Sequence, residues 1–316
     1  MLERVRNLFR PSAAPGSSAA APAAATSGAV LPPTALPLLK PFLARLHERF
    51  GSWSYLLGTC PVCGENAAFV GDFAIARESM LCSSCLTTCR YRTLALGVLR
   101  AIERATGVRV PSLAALAGVR LPRRFRVYDA QLPFRYLTCA YPLPDLLAAC
   151  KDVDVQVSRF RPRDPLGAPV DVRPFASNQN LERLTFADGS FDLVLTSDVM
   201  EHVRLDAVAH REIRRVLAPG GCYVFTVPHT RAQRDTIHRV VVHDPSDPTR
   251  DEHVLPDEFH GDANDPENAA LSYRVFGTEL DDSLRALGFT VDYDDFDRPE
   301  VGVVRSQLFF CSLPPR

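Results

Sequence analysis

The residues with the clearest chemical signal are four of the nine cysteines. Cys60 and Cys63 form one C-x-x-C pair, Cys82 and Cys85 form a second, and eighteen residues separate the two pairs. Two such pairs bring four thiolates together, which is the ligand set of a tetrahedral zinc site. A site with four thiolate ligands has no open coordination position. We therefore expect a zinc ion that organises structure and does not catalyse.

The segments around these cysteines predict a small zinc ribbon. Two short apolar stretches, Ala67 to Val70 and Phe73 to Ala76, are expected to pair as a hairpin. Cys89 is expected to remain a free thiol, and a helix from Tyr91 to Ala105 to fasten the ribbon to the rest of the chain. Disulfides and redox-active thiols are the alternatives, which the lack of a secretory signal disfavours.

A second group of candidate residues depends on a strand, helix and strand in the middle of the chain. Phe191 to Thr196 is a nearly unbroken apolar run, as expected for a parallel strand buried on both faces. Apolar residues then recur at helical spacing from Leu205 to Leu217, and Pro219-Gly220-Gly221 should stop that helix. Cys222 to Val227 predicts the next strand. The order is that of a βαβ module.

Polar residues follow both strands of this module. Ser197, Asp198, Glu201 and His202 come after the first strand, and His229 comes just after the second. Ligands of open α/β sheets bind at the carboxyl ends of parallel strands. The sequence therefore predicts that these side chains line a ligand site.

Residues 184–221, LTFADGSFDLVLTSDVMEHVRLDAVAHREIRRVLAPGG, resemble the second half of a class I S-adenosylmethionine-dependent methyltransferase. From Cys60 to Cys311 the chain resembles a bacterial group in which a CPxCG zinc ribbon precedes such a domain, with HVLPDEFHG (residues 253–261) as a late signature. The resemblance implies a three-layer, Rossmann-like α/β fold. Its sheet would be mostly parallel, with one antiparallel edge strand, and S-adenosylmethionine would be the cofactor.

The resemblance also assigns roles to individual residues. Phe125 to Asp129 would be the first strand and Tyr136 to Ala140 the second. The cofactor-binding residues would be Asp129, Asn180, Leu181, Ser197 and Asp198. For a hydroxyl acceptor, the candidates for the catalytic base are His202, Glu201 and His229.

The start of this domain departs from the family pattern. Between Gly118 and Gly167 the sequence has no glycine, so the usual glycine-rich turn after the first strand is absent. The second strand as placed above ends without a carboxylate. Three explanations are open: other groups bind the cofactor, binding has been lost, or the first strands are misplaced. We favour the first.

Composition and charge set the remaining expectations. The 316 residues carry a net charge of −1, which argues against a general nucleic-acid-binding protein. Residues 86–126 hold nine arginines and one acid, so nucleic acid binding there is a minor alternative. We expect a disordered tail at 1–36, the ribbon with its helices at 37–106 and the methyltransferase domain at 107–316. No run is long enough for a membrane helix, and we expect a cytoplasmic protein.

The predicted function is methyl transfer from S-adenosylmethionine to a small-molecule or glycan-like acceptor. The alternative is a catalytically degenerate methyltransferase fold that binds a partner or nucleic acid. An NAD-dependent oxidoreductase is disfavoured because it would require G-x-G-x-x-G after the first strand. Residues 229–270 form an insertion that contains His253, Asp257 and His260. These three residues could form a second metal site, but a chance clustering of surface histidines and acids is the favoured interpretation.

Overall fold

The computed structural model describes residues 54–135, 139–170, 175–262 and 265–315. The expected tail at 1–36 and the first part of the 37–106 segment lie outside these ranges. The strands are β1 (Ser54–Thr59), β2 (Asn66–Gly71), β3 (Leu81–Cys82), β4 (Phe125–Asp129), β5 (Phe134–Arg135), β6 (Ala140–Tyr141), β7 (Val153–Arg159), β8 (Ala176–Asn178), β9 (Phe191–Ser197), β10 (Leu217–Thr226), β11 (Ile237–His238), β12 (Val240–Val241), β13 (Glu252–His253), β14 (Phe259–Asp262), β15 (Asp265–Leu271), β16 (Arg274–Val275), β17 (Thr290–Arg298) and β18 (Val303–Ser312). The α-helices are α1 (Cys89–Thr106), α2 (Leu143–Ala148), α3 (Asp206–Val216) and α4 (Glu279–Ala286).

Seven strands form the central sheet, in the order β17-β18-β10-β9-β4-β7-β8. The pairs from β10 to β8 are parallel, whereas β18 runs antiparallel to both of its neighbours. The fold class predicted from the sequence is thereby confirmed. One detail differs, because the reversed strand lies one position inside the sheet and β17 forms the edge.

The side chains of β9 alternate between two apolar clusters, one on each face of the sheet, which explains the three-layer architecture. Leu193 and Leu195 face one apolar cluster, which includes the α1 residue Leu94, while Val194 faces a second cluster with Ile213 of α3. All seven residues of β9 are buried, as the apolar run predicted. Helix α1 approaches the sheet closely at Gly97, where an added Cβ would lie 2.6 Å from Val224. The helix is therefore held directly against the sheet.

The ribbon differs from the predicted hairpin. Strand β2 pairs with β1 and β3, and the stretch expected as a second strand forms a 3-10 helix, Phe73–Ile75, instead. Asp72 caps this short helix by accepting a hydrogen bond from the Ala74 N–H at 2.8 Å. The aspartate side chain competes with strand pairing here because it satisfies the backbone locally.

The predicted second strand is also wrong. Phe134–Arg135 and Ala140–Tyr141 form only a two-residue hairpin, and residues 136–138 lie outside the described ranges. The second strand of the sheet is β7, Val153–Arg159, which pairs in parallel with β4. Its sequence VDVQVSR alternates apolar and polar residues, because a strand near the sheet edge is less covered than β9.

The insertion at residues 229–270 contains short strands. It forms parts of three two-stranded sheets, β11-β16, β12-β13 and β14-β15. Among the described residues, none of the helices combines the length and hydrophobicity needed to cross a bilayer.

Candidate functional site

A cleft of about 1670 Å³ opens at the carboxyl ends of β4, β7, β9 and β10. Two walls rise above these strand ends. The ribbon wall consists of residues 73–78, from the ribbon segment that leads into β3. The insertion wall consists of Glu258, His260, Gly261, Ala269, Ala270, Ser272, Tyr273 and Val275. The cleft therefore lies between β4 and β9, where the strand order reverses, which is the usual ligand position in open α/β sheets.

Asp198 links the ribbon wall to the sheet. Its carboxylate accepts two hydrogen bonds from Arg77, at 2.7 and 2.5 Å, and lies 3.1 Å from the guanidinium of Arg90. The Thr226 hydroxyl donates a third hydrogen bond at 2.9 Å. Although burial alone would raise it, the two guanidinium groups hold the pKa of Asp198 well below its usual range. Asp198 lines the cleft, as predicted, but these donors already engage its carboxylate.

Arg77 and Arg90 belong to a charge-balanced network. Glu78 pairs with Arg77 at 2.5 Å and with Arg90 at 2.8 Å, so two guanidinium groups and two carboxylates neutralise one another. Arg90 also donates to the Ser197 hydroxyl at 3.1 Å. The predicted cofactor residue Ser197 therefore lies in the cleft wall in contact with α1. Sequence reasoning missed both arginines, because no local pattern indicates an ion pair across more than a hundred residues.

Glu201 is the most unusual carboxylate of the cleft. It lies in a 3-10 helix, Met200–His202, is 0% exposed, and neither of its oxygens has a hydrogen-bond partner among the described residues. Burial raises the pKa of Glu201 well above its usual value. Burial outweighs the attraction of the nearby Arg77 and Arg90 charges, so the protonated form of this side chain is favoured.

His202 is oriented by the backbone of the insertion. Its Nδ1 lies 2.9 Å from the carbonyl oxygen of Leu271. A carbonyl only accepts, so Nδ1 carries the hydrogen, and Nε2 is the basic nitrogen of the neutral ring. That Nε2 lies 3.7 Å from Glu201 Oε1, and the ring packs edge-on against His260 with centroids 4.9 Å apart.

His229, the third predicted catalytic residue, lies in an aromatic environment. Its ring is 5.2 Å from that of Tyr293 and 5.0 Å from that of Phe309, and neither ring nitrogen has a hydrogen-bond partner among the described residues. Burial, aided by the Arg231 charge, lowers the pKa of His229 to about 4. His229 is therefore neutral at physiological pH and lines the cleft.

Asp129 ends the first strand as predicted, but its side chain turns away from the cleft. It is fully buried, accepts a hydrogen bond from the Tyr141 hydroxyl at 2.6 Å, and accepts another from the Gln131 N–H at 3.2 Å. Burial raises the pKa of Asp129 to about 7. In place of a glycine-rich turn, Ala130 and Gln131 line the cleft. The Gln131 Oε1 atom is buried and has no hydrogen-bond partner in the part of the chain that the structure describes.

The end of β7 supplies basic and aromatic groups to the cleft. Ser158, Arg159 and Phe160 line it, and the Ser158 hydroxyl is fixed at 2.8 Å from that of Tyr128. Phe160 is 53% exposed, which is high for a large apolar side chain. These residues were missed because the second strand was misplaced. The alternating valines of VDVQV were the signal that could have found them.

Asn180 and Leu181 lie in the cleft lining as well. The Asn180 side-chain oxygen accepts a hydrogen bond from the Glu182 N–H at 2.9 Å, and Leu181 is largely buried. Four of the five predicted cofactor residues thus line one cleft, while Asp129 lies beneath it.

The four predicted metal ligands converge in the ribbon. Cys60, Cys63, Cys82 and Cys85 place their sulfur atoms within 4.8 Å of one another. The Cys60 and Cys85 sulfurs are 3.8 Å apart and those of Cys63 and Cys82 are 3.9 Å apart. A tetrahedron with metal–sulfur distances of about 2.3 Å has edges of about 3.8 Å. The cluster has the dimensions of a four-thiolate zinc site. Cys89 is a buried thiol outside it.

The hypothesis of a metal site at His253, Asp257 and His260 is wrong. His253 pairs with Asp257 at 2.5 Å, whereas His260 lies 3.0 Å from Glu258. Among the described residues, His260 groups instead with Glu201 and His202, and the three ligand atoms lie within 4.8 Å of one another.

The sheet order and the cleft are those of a Rossmann-like, mostly parallel α/β fold, and a ribbon with a four-cysteine cluster precedes it. Within the chain, residues 161–225 match the family described as a methyltransferase domain, which confirms the resemblance for this stretch. No curated protein matches the chain.

Several solved structures that resemble the chain are named methyltransferases. A Mesorhizobium loti S-adenosylmethionine-dependent methyltransferase is 20% identical, with 63% of this chain and 94% of that chain covered and a TM-score of 0.36. A Methanosarcina mazei methyltransferase is 16% identical, with 62% and 95% covered and a TM-score of 0.36. The Burkholderia thailandensis 1,6-didemethyltoxoflavin-N1-methyltransferase is 18% identical, with 65% and 77% covered and a TM-score of 0.34.

Proposed function

We propose that this protein transfers a methyl group from S-adenosylmethionine to a small-molecule or glycan-like acceptor. The observation that carries the proposal is the cleft at the switch point between β4 and β9, in a chain that matches a methyltransferase domain over residues 161–225. Its volume of about 1670 Å³ exceeds the range of about 300–1,000 Å³ for common ligand pockets. A cofactor and an acceptor can therefore occupy it together.

The side chains at the strand ends fit this cofactor without a glycine-rich turn. The unpartnered Gln131 oxygen would accept from the ammonium group of the cofactor's methionine part. Arg159 stands where the family has a carboxylate, so hydrogen bonds to the ribose would run from the guanidinium. Leu181 and the exposed ring of Phe160 offer apolar surface to the adenine, and Asn180 its amide. Ser197 would complete the cofactor side.

When bound, S-adenosylmethionine supplies a methyl carbon already activated by its sulfonium. The protein's task is therefore to align the acceptor and to exclude water, and we assign this task to the two walls. For a hydroxyl acceptor, the neutral His202 ring takes up the proton on Nε2. The Leu271 carbonyl, 2.9 Å from Nδ1, then stabilises the charged ring. His229 is the second candidate base, and Glu201 can act only after losing its proton.

The four cysteines hold a structural zinc ion in this proposal. Its role is to fix the ribbon wall, because a four-thiolate site leaves no position for substrate. Such a site requires reduced thiols, which suits the cytoplasmic location that we expect.

A second candidate function is a degenerate methyltransferase fold that binds a partner through the ribbon or the arginine-rich segment 86–126. The observation in its favour is that Asp129 and Asp198 satisfy their carboxylates inside the protein. This alternative requires that S-adenosylmethionine does not bind.

The test of the enzymatic proposal is a transfer assay. Zinc-loaded protein is incubated with methyl-labelled S-adenosylmethionine and a panel of hydroxylated small molecules and oligosaccharides, and S-adenosylhomocysteine is measured. We expect acceptor-dependent product and a loss of about 100-fold or more in His202→Gln, with cofactor affinity unchanged. The matched control is His253→Gln, an exposed histidine of the insertion outside the cleft lining. A His202→Gln enzyme at full rate would refute the base assignment.

A further inference from the structure

Three potential metal ligands meet where the insertion wall touches the end of β9. Glu201 and His202 come from the 3-10 helix after that strand, and His260 comes from β14. One carboxylate oxygen and one nitrogen from each ring lie within 4.8 Å of one another. All three residues line the cleft, so whatever binds between them faces the ligand.

The buried carboxylate provides an independent sign that a positive group is missing. Glu201 is 0% exposed and both of its oxygens lack a hydrogen-bond partner among the described residues. Burying an ionised carboxylate without a partner is costly, so this side chain is either protonated or paired with a bound cation. The guanidinium of Arg274 does not neutralise it: its hydrogen bonds go to the carbonyls of Val203 and Arg204, and it pairs with Asp206 at 3.1 Å.

Both rings have the outer-sphere contacts typical of metal-binding histidines. The Nδ1 atom of His202 is held by the Leu271 carbonyl at 2.9 Å, which directs Nε2 towards Glu201. Glu258 lies 3.0 Å from His260 Nε2 and is itself held by Arg239. Ligating histidines usually pair one ring nitrogen with a carbonyl or carboxylate, which fixes the tautomer and the ring plane.

We propose that Glu201, His202 and His260 bind one divalent first-row transition metal ion, with open coordination positions that face the cleft. Two imidazoles and a carboxylate favour such an ion over magnesium or calcium, which prefer oxygen ligands. Three protein ligands leave room for water or for an oxygen of the bound molecule, unlike the closed cysteine cluster. The site goes beyond the proposed function, since the ligands bind metal whether or not methyl transfer occurs.

The metal would also decide between two roles for His202. As a ligand, His202 Nε2 cannot accept a proton, and the metal would instead acidify a coordinated acceptor hydroxyl. His229 would then be the base on this edge. This consequence rests on the proposed methyl transfer, whereas metal binding itself does not.

The test is calorimetric titration of the zinc-loaded full chain with cobalt(II) chloride, after metal analysis has established the zinc in the ribbon. We expect one additional cobalt ion per chain, and an affinity loss of about 100-fold or more in His260→Ala. His260 lies at the cleft wall, so this variant should fold. The matched control is His253→Ala, which should bind cobalt like the wild type.

Two results would overturn the site. The first is the absence of any cobalt binding beyond the ribbon metal, and the second is binding that His260→Ala leaves unchanged. Cofactor binding is measured separately on the same preparations with S-adenosylmethionine. Failure of the metal site and failure of the methyltransferase proposal are therefore distinguishable.

Discussion

The two walls of the cleft are attached to the sheet in different ways. Four sulfur atoms and a buried arginine fix the ribbon wall. Arg92 is 0% exposed and donates to the carbonyls of Met80 and Thr87 at 2.5 Å and of Gly302 at 2.6 Å. These bonds join the ribbon to α1 and to the turn before β18. A buried donor with several acceptors stabilises strongly, because its removal takes a hydrogen bond from every one of those carbonyls.

The insertion wall is held by short strands and by pairs of charges, several of which are exposed. His253 with Asp257 and His243 with Glu252 are all close to half exposed or more, and exposed pairs contribute little to stability. It also has two well-covered anchors: Arg274 is buried, and Arg204 pairs with both oxygens of Asp251, whose side chain is 8% exposed. Both walls thus have buried anchors, and the ribbon wall has the four-cysteine cluster in addition. We expect the insertion wall to tolerate substitution better at its exposed pairs.

The strongest expected effect comes from the ribbon metal. Cys63→Ser should release zinc and lower the free energy of unfolding by several kcal/mol, because metal binding contributes directly to folding. Metal analysis and thermal unfolding measure both quantities. Cys139→Ser, at a cysteine outside the cluster, is the control. Unchanged metal content in Cys63→Ser would refute the ligand assignment.

Arg92→Leu should have the next largest effect. The substitution removes the guanidinium donor from three carbonyls, of which that of Thr87 keeps a second donor, the Cys82 N–H, and we expect a cost of about 3 kcal/mol. The control is Arg104→Leu, an exposed arginine on the same helix. Chemical denaturation of the two variants gives the difference. Equal stability of the two would mean that Arg92 does not fasten the ribbon.

Below the ribbon wall, Asp129 should make stability depend on pH. Its folded pKa of about 7 lies above the ordinary value of 3.8, so the folded state favours the protonated form. The contribution of Asp129 to the free energy of unfolding should be largest below pH 4. It should fall by up to about 4 kcal/mol as the pH rises through 7.

Asp129→Asn keeps the contacts and removes the titration, since an amide can accept from Gln131 N–H and donate to the Tyr141 hydroxyl. Comparing the two proteins between pH 4 and pH 8 isolates the contribution. Parallel curves would show that Asp129 is already ionised in the folded protein.

The smallest effect should come from the exposed side of the insertion. His253→Ala should change the free energy of unfolding by less than about 0.5 kcal/mol, because it removes only an exposed pair. Thermal unfolding measures this. A change as large as that of Arg92→Leu would contradict the distinction between the two walls.

The sequence predicted the elements of the fold that a short stretch of residues specifies by itself. The buried strand β9 and helix α3 carry unbroken periodicity, and the cysteine spacing indicates a cluster directly. Tyr136 to Ala140 was predicted as the second strand because it is apolar, but β7 occupies that place in the sheet, and residues 136–138 lie outside the described ranges. The alternating β7 is the real strand. Local hydrophobicity does not report which segment pairs with β4.

Several features of the site depend on contacts that no local pattern encodes. Arg77 and Asp198 are 121 positions apart, and the sequence gives no reason to pair them. The grouping of His260 with Glu201 depends on how the insertion folds back over the sheet. The side-chain direction of Asp129 depends on Tyr141, whose hydroxyl takes the place of a ligand.

The measurement that tests the central claim most directly is calorimetric titration of the zinc-loaded protein with S-adenosylmethionine and S-adenosylhomocysteine. We predict one site per chain and micromolar Kd values for both, with Gln131→Ala weakening both. A folded, zinc-loaded protein that gives no binding heat with either compound, and no competition in an equilibrium dialysis, would contradict the account and favour the partner-binding alternative.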